Sequence, residues 1–240
     1  MEKVKLLKSW EEDCRLIEKY IKQKATAGSP LRILEAGCGQ YWPLDLKGIQ
    51  FTLTGVDVIK DVLDLRRARC NDLSEIIAGD LRFLDLGKNR FDVIYNSFVL
   101  EHIDGAERVL ENFSNWLKPG GILILRVPDR DCVKGFVTRF TPFWVHMLHT
   151  KYVKGVRKAG RTGFGPFRTV FDSIVSRKGI HEFCRVKHFD MKEEQGHEFY
   201  LDGQGVIPFL RYLFVRGVSL LSFGKLPWNY SDLTYILEKQ

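Results

Sequence analysis

Cysteine is sparse and scattered in this chain. The five residues, Cys14, Cys38, Cys70, Cys132 and Cys184, are odd in number, far apart and without paired metal-ligand spacing. That argues against a disulfide-stapled fold and a zinc module, and it fits free thiols in a reducing cytosol. Long apolar runs are missing too. Met1 to Ile21 has neither an uninterrupted apolar core nor a small-residue cleavage site, so no secretory signal is read there. The most apolar late stretch, Val206 to Phe223, is interrupted by Arg211 and Arg216 and is too broken for a spanning helix. Nothing in the composition points to a fibre, a repeat array or a disordered chain, so a soluble, cytoplasmic protein is expected.

What is present suffices for a core. With 240 residues, 45% of them hydrophobic, the chain can close as one domain carrying an insertion. Its net charge of +7 suits an anionic partner such as nucleic acid or a membrane surface, or is no more than a solvated basic face.

The chain is organised around Leu31-Arg32-Ile33-Leu34-Glu35-Ala36-Gly37-Cys38-Gly39-Gln40. Pro30 precedes an apolar, partly β-branched run that ends in an acid and two glycines, the pattern of a buried parallel strand entering a tight turn. Gly37 and Gly39 lack Cβ atoms, so their main chain can take positive φ and approach a ligand. A second strand-like run, Phe51 to Asp57, again ends in an acid. Ile76 to Leu81 contains Gly79-Asp80, Phe91 to Ser97 ends in Asn96-Ser97, and Leu117 to Val127 opens with Lys-Pro-Gly-Gly at 118–121. Strand-like runs alternating with helical spacers build a parallel sheet covered on both faces. Right-handed crossovers then bring the ends of these runs to one edge.

These motifs, in this order over residues 30–130, resemble the class I S-adenosylmethionine-dependent methyltransferases, most closely the branch that includes the ubiquinone- and menaquinone-biosynthesis enzymes. The resemblance implies an α/β, Rossmann-like, seven-stranded sheet, mostly parallel with an antiparallel last strand, with helices on both faces and a lid insertion after the fifth strand. It implies S-adenosyl-L-methionine as cofactor, with contacts from Glu35, Ala36, Gly37, Gly39, Asp57, Val58, Asp80, Leu81, Asn96 and Ser97. Asp57 would hold the ribose hydroxyls, Asp80 and the Leu81 main chain the adenine edge, and Asn96-Ser97 the sulfonium and amino acid part. Glu35, where Asp is also common, would orient the cationic tail. The competing dinucleotide site is disfavoured, because the final glycine of Gly-x-Gly-x-x-Gly is missing and Glu35 would repel a pyrophosphate.

Where a third glycine is usual, this chain runs Gln40-Tyr41-Trp42-Pro43, so Tyr41 and Trp42 are expected to wall the methionine end. Phe98 to Ile103 contains the family's Leu-Glu-His element. Its His102 is either a general base or a structural histidine, since its ordinary pKa lies near neutrality. No Pro-Pro-aromatic sequence follows Asn96-Ser97, and no Pro-Cys or Thr-Cys nucleophile occurs, which lowers the case for a nucleic-acid base as acceptor.

The N-terminal stretch 1–25 reads as an amphipathic helix through Leu7, Trp10, Cys14, Ile17 and Ile21. Residues 131–172 form the expected lid, rich in Phe136, Phe140, Phe143, Trp144 and His146 among Lys134, Arg139, Lys151 and Arg168. Its mix of aromatics and bases suits an acceptor with an apolar body and an anionic group, a lipid surface, or an oligomer contact. Phe136, Phe140, Trp144 and His146 are the acceptor-contacting candidates, and 158–166 reads as a flap. A helix is expected over Ile180 to Lys187, a strand over Asp190 to Glu194, a helix over Ile207 to Phe223 and a last strand over Leu233 to Leu237. His181 and His188 have no partner at ligand spacing, so no metal is expected.

Together these readings give one domain, 1–240: an N-terminal helix (1–29), a cofactor-binding core (30–130), an acceptor lid (131–172) and the end of the sheet (173–240). The expected activity is methyl transfer to a small, partly apolar or lipid-like molecule at oxygen, nitrogen or carbon. The rivals are a nucleic-acid or protein methyltransferase and a non-catalytic cofactor-binding subunit. Peripheral membrane contact and a homo-oligomer are compatible with the sequence; a nucleic-acid partner is not favoured.

Overall fold

The computed structural model describes residues 4–26, 28–153, 155–156, 160, 167–197 and 206–240. The chain begins with a short strand, β1 (Lys5–Leu7), and a helix, α1 (Trp10–Gln23). Ser9 caps α1 by accepting from Glu12 N at 3.2 Å, with Glu11, Glu12 and Asp13 in the first turn, where their charge suits the helix dipole. Then follow β2 (Leu31–Ala36), β3 (Phe51–Asp57), α2 (Lys60–Arg69), β4 (Glu75–Ala78), β5 (Phe91–Ser97), α3 (Ala106–Trp116) and β6 (Leu117–Pro128). Next come α4 (Val133–Phe140), α5 (Phe143–Leu148), a π turn (His149–Val153), α6 (Arg177–Lys187), β7 (Phe189–His197), α7 (Val206–Leu221) and β8 (Asp232–Lys239).

The strands form one sheet in the order β1-β7-β8-β6-β5-β2-β3-β4, with β8 antiparallel to both neighbours and the remaining pairs parallel. Among the described residues eight strands replace the expected seven. The extra one, β1, occupies part of the stretch read as all helix; its three residues are too few for a period, and it exists because β7 offers an edge at Gln195–His197. The strand expected over Ile76–Leu81 stops at Ala78, where Gly79 N turns to Asp57 O at 3.0 Å. β7 extends beyond the expected Asp190–Glu194, and α6 starts at Arg177 because Ser176 Oγ caps it through Gly179 N at 3.0 Å. The flap 158–166 lies outside the described residues except Gly160.

Two apolar layers hold the sheet. On one face α3 presents Ala106, Val109, Leu110, Phe113 and Trp116 at three- and four-residue steps to Ile94, Leu123 and Leu125. On the other, α1 presents Cys14, Ile17 and Ile21 to Ile33, Val93 and Ile124. Each such fully buried Leu, Ile or Phe contributes about 1.5–3 kcal/mol relative to exposure. The stretch Ile122–Val127 is buried throughout, Arg126 included, so a charge lies inside the core.

Candidate active site

Register fixes which residues share the carboxyl edge. Ala36 pairs with Val56 on one side and Asn96 on the other, Asp57 with Ala78, and Ser97 with Arg126. Glu35 to Gly39, Asp57, Gly79-Asp80 and Asn96-Ser97 therefore stand along one rim, although sequence separates them by up to 62 positions.

The turn after β2 has the expected backbone, with φ +77° at Gly37 and +56° at Gly39. The two glycines serve different ends. A Cβ on Gly37 would lie 2.2 Å from Val99 Cγ2, so this position yields to the protein's own side chain. A Cβ on Gly39 would meet nothing within 4 Å, which leaves its main chain open to a ligand. Asp57 ties the turn down: Oδ2 accepts from Gly39 N at 3.1 Å and Oδ1 from Ile59 N at 2.9 Å. A carboxylate has about four lone-pair sites, so acceptor capacity is left for hydroxyls. Val58, next to it, is exposed.

Glu35 stands elsewhere than in the role expected of it. Its carboxylate is buried and 2.7 Å from the Arg66 guanidinium of α2. Arg66 also donates to Cys38 O at 2.5 Å and binds Asp72 with Nε and Nη2 at 3.1 and 2.8 Å. Burial pushes the Glu35 carboxyl up to about 8 against the pull of Arg66. This clamp holds the turn from behind. Asn96 is likewise turned inward: fully buried, it donates from Nδ2 to Ala36 O at 2.8 Å and so fixes β5 to β2 at the rim. Ser97 is half-buried beside it.

Asp80 is engaged by Arg82, with Oδ1 accepting from Arg82 N at 2.9 Å and Oδ2 from Nη2 at 2.6 Å. The Arg82 hydrogen bonds hold its carboxyl below the ordinary range. To accept from an adenine amine, Asp80 would have to exchange part of this pairing. Leu81 is buried, and its carbonyl accepts from Asn112 Nδ2 at 2.8 Å.

Beyond β5 the backbone is strained. Phe98 holds φ +56°, a conformation that costs a non-glycine residue on the order of 1 kcal/mol and gathers at functional sites. Its ring stacks on Trp10 of α1 at 6.4 Å. The Arg126 guanidinium lies 3.4 Å from the Trp10 ring centroid, donates to Tyr95 Oη at 3.1 Å and pairs with buried Asp13 at 2.6 Å. His197 and Thr234 complete the group, with Nε2 3.0 Å from Thr234 Oγ1. The sequence signal for this network was Arg126 itself, since a base inside an apolar strand run needs a counter-charge.

His102 sits in a short 3-10 turn, Leu100–His102. Its Nδ1 is 2.8 Å from Arg168 O; a carbonyl only accepts, so Nδ1 carries the proton and Nε2 keeps the lone pair. Burial lowers its pKa, favouring the neutral, basic form. Glu101 O accepts from Val170 N at 2.8 Å and Phe171 N at 3.2 Å, so this turn also anchors the end of the segment 131–172. The Glu101 carboxyl is buried and pushed up to about 8 by desolvation.

The acceptor-side candidates divide. Trp42 is half-buried, edge-on to Tyr95 at 5.4 Å, while Tyr41 is exposed just outside the turn. Phe136 and Phe140 pair at 4.7 Å on α4, Trp144 is exposed on α5, and His146 Nε2 is 3.3 Å from Thr138 O. A separate cavity of about 270 Å³, lined by Arg32, Thr52, Glu75 and Arg90 among others, lies at the opposite strand ends, away from the glycine turn. Among the described residues no group of His, Cys, Asp and Glu could hold a metal ion.

Comparisons with known proteins agree on the architecture. A family described as a methyltransferase domain matches residues 9–167. A sterol 4-C-methyltransferase of Caenorhabditis elegans is 26% identical over 121 residues, 48% of this chain and 36% of that protein. A ubiquinone biosynthesis O-methyltransferase of Coxiella burnetii is 28% identical over 117 residues, 47% of this chain and 50% of that protein. The chain thus spans about a third to a half of the length of these relatives. A solved S-adenosylmethionine-dependent methyltransferase from Archaeoglobus fulgidus shares the fold, with TM-score 0.53 and 16% identity over 96% of this chain and 95% of that one.

Proposed function

The chain belongs to the methyltransferase-domain family, and on that premise we propose that it transfers a methyl group from S-adenosylmethionine to a small, partly apolar, lipid-like acceptor at oxygen, nitrogen or carbon. The observation that carries this is the joining of the open Gly39 turn to the Asp57 carboxylate, a glycine approach and a hydroxyl acceptor fixed to each other at the strand edge. The residues fit the cofactor: Gly39 admits its backbone, Asp57 takes the ribose hydroxyls, and Asp80 with Leu81 borders the adenine. Bound there, S-adenosylmethionine supplies an electrophilic methyl group on a sulfonium.

The protein's own part is positioning. Holding a nucleophile in line at near-attack distance supplies much of the acceleration. The Glu35–Arg66 and Asn96–Ala36 contacts keep the rim from shifting. His102 Nε2 is the base that receives a proton from an acceptor hydroxyl or amine. Trp42 beside the glycine turn and Phe136 of α4 border the acceptor's apolar body and help to exclude water. The similarity to a sterol 4-C-methyltransferase and a ubiquinone biosynthesis O-methyltransferase supports the acceptor class.

The test is transfer of radiolabelled methyl from S-adenosylmethionine into lipid and aqueous extracts by the purified chain. Label in organic-soluble products, lost in His102→Ala, is expected. Label confined to protein or nucleic acid would overturn the acceptor class, and no label in any fraction would overturn the activity.

A further inference from the structure

Two stretches carry a charge bias absent from the rest of the chain. From Cys132 to Phe171 the sequence holds eight Lys or Arg and no Asp or Glu, and from Gly203 to Ser231 three more bases and again no acid. The remainder has 26 bases against 30 acids, so the whole positive excess comes from these two stretches. The fold brings them together: α7 packs on α4, and Val133 N donates to Pro227 O at 2.9 Å.

What they turn outward is apolar. Among the described residues of α7 only Val215 and Ser219 are buried, while Leu210, Leu213, Phe214, Leu220 and Leu221 are 48–83% exposed. On the adjoining helices Phe140 and Trp144 are 73% and 64% exposed. Apolar exposure on this scale is rarely left to water. Bases border the face, with Arg211 and Arg216 on α7, Arg139 on α4 and Lys151 on the π turn. The Arg216 guanidinium lies 4.8 Å from the Trp228 ring centroid, so this base is held beside an aromatic ring.

We propose that α4, α5 and α7 form a docking face for an anionic lipid bilayer, with the leucine and phenylalanine side chains entering the acyl boundary and the bases meeting headgroup phosphates. The mode is interfacial: among the described residues no helix is long and apolar enough to cross a membrane. Charge complementarity selects this occupant. A second copy would set the same basic face against itself, as a twofold contact requires. Single-stranded nucleic acid rewards stacking rings, which Leu210, Leu213, Leu220 and Leu221 do not offer. The inference stands apart from methyl transfer, and its test needs no turnover.

The full chain is floated with phosphatidylcholine vesicles and with vesicles containing phosphatidylglycerol, at low and high salt. Binding to the anionic vesicles that weakens with salt is expected. Leu213→Glu combined with Phe214→Glu lowers that partition at least about a hundredfold, while the circular dichroism melt stays as in the wild type. Three results overturn the proposal: no binding to either vesicle, equal partition of the folded double variant, or a dimer by light scattering that the double variant dissociates in a chain that ignores vesicles. Retention by single-stranded RNA without vesicle binding would overturn it too. Should the double variant fail to fold, Leu221→Glu and Phe223→Glu, at and beyond the helix end, carry the same expectation and the same refutation.

Discussion

The rim at the carboxyl ends of β2 to β6 and the face made by α4, α5 and α7 are built from the same residue types, used in opposite ways. At the rim ionisable groups are buried and paired, Glu35 with Arg66 and Asp13 with Arg126, and apolar side chains fill the layers beneath. On the helical face the aliphatic and aromatic side chains point outward and basic residues border them. The rim is thereby tied together by contacts within the chain. The helical face has given up internal packing for something outside the chain.

The largest expected effect probes the rim's buried charges. Asp13→Ala leaves Arg126 without its counter-charge and should cost about 3–5 kcal/mol in denaturant unfolding. Arg139→Ala on the outer face should change stability by no more than about 0.5 kcal/mol. Equal costs would break the contrast between the two regions.

Next comes the division between the glycines. Gly37→Ala must place a Cβ 2.2 Å from Val99 at positive φ and should destabilise by about 2–3 kcal/mol. Gly39→Ala, with open space around it, should cost about 1 kcal/mol and show itself chiefly in cofactor affinity. Calorimetric melts of both, and of Gly37→Ala with Val99→Ala, sharpen the point: the second substitution should recover part of the first loss.

A smaller effect is pH-dependent. Unfolded, Glu101 releases its proton near the ordinary 4.5; folded, it holds it to about 8. The folded state thus binds more protons between these values, and stability falls as pH rises through the window. Glu101→Gln should remove part of that fall, on the order of 1–2 kcal/mol by pH 8, with the Glu35 share remaining. Melting curves across pH 5–8.5 would check it; an unchanged slope would remove Glu101 from the account. The smallest effect is the position of the acid limb of activity: with His102 as base and its pKa lowered by burial, the wild-type rate-against-pH profile should fall off only below 6.5, and a limb above 6.5 would contradict that assignment.

Legibility in the sequence follows the same division. β3 and β5 match the stretches read from pattern, because strand-end acids and glycines express local constraints of backbone angle and approach. Glu35 and Asn96 are placed on the rim as expected, yet their side chains serve the fold, because Arg66 and Ala36 O reach them only through the tertiary arrangement. β1 carries no period in three residues and depends on β7. The burial of Arg126 and its pairing with Asp13, 113 positions away, went unread, because the partner reaches it only in the folded arrangement. The outward face of α7 could not be assigned, since periodicity tells which residues align but not what lies opposite them.

The most direct measurement is calorimetric titration of the wild type and Asp57→Ala with S-adenosylmethionine. The account predicts saturable one-to-one binding by the wild type and a loss of about tenfold to a hundredfold in Asp57→Ala, with both proteins equally folded by circular dichroism. Binding that is absent from the folded wild type, or unchanged by the substitution, would contradict it.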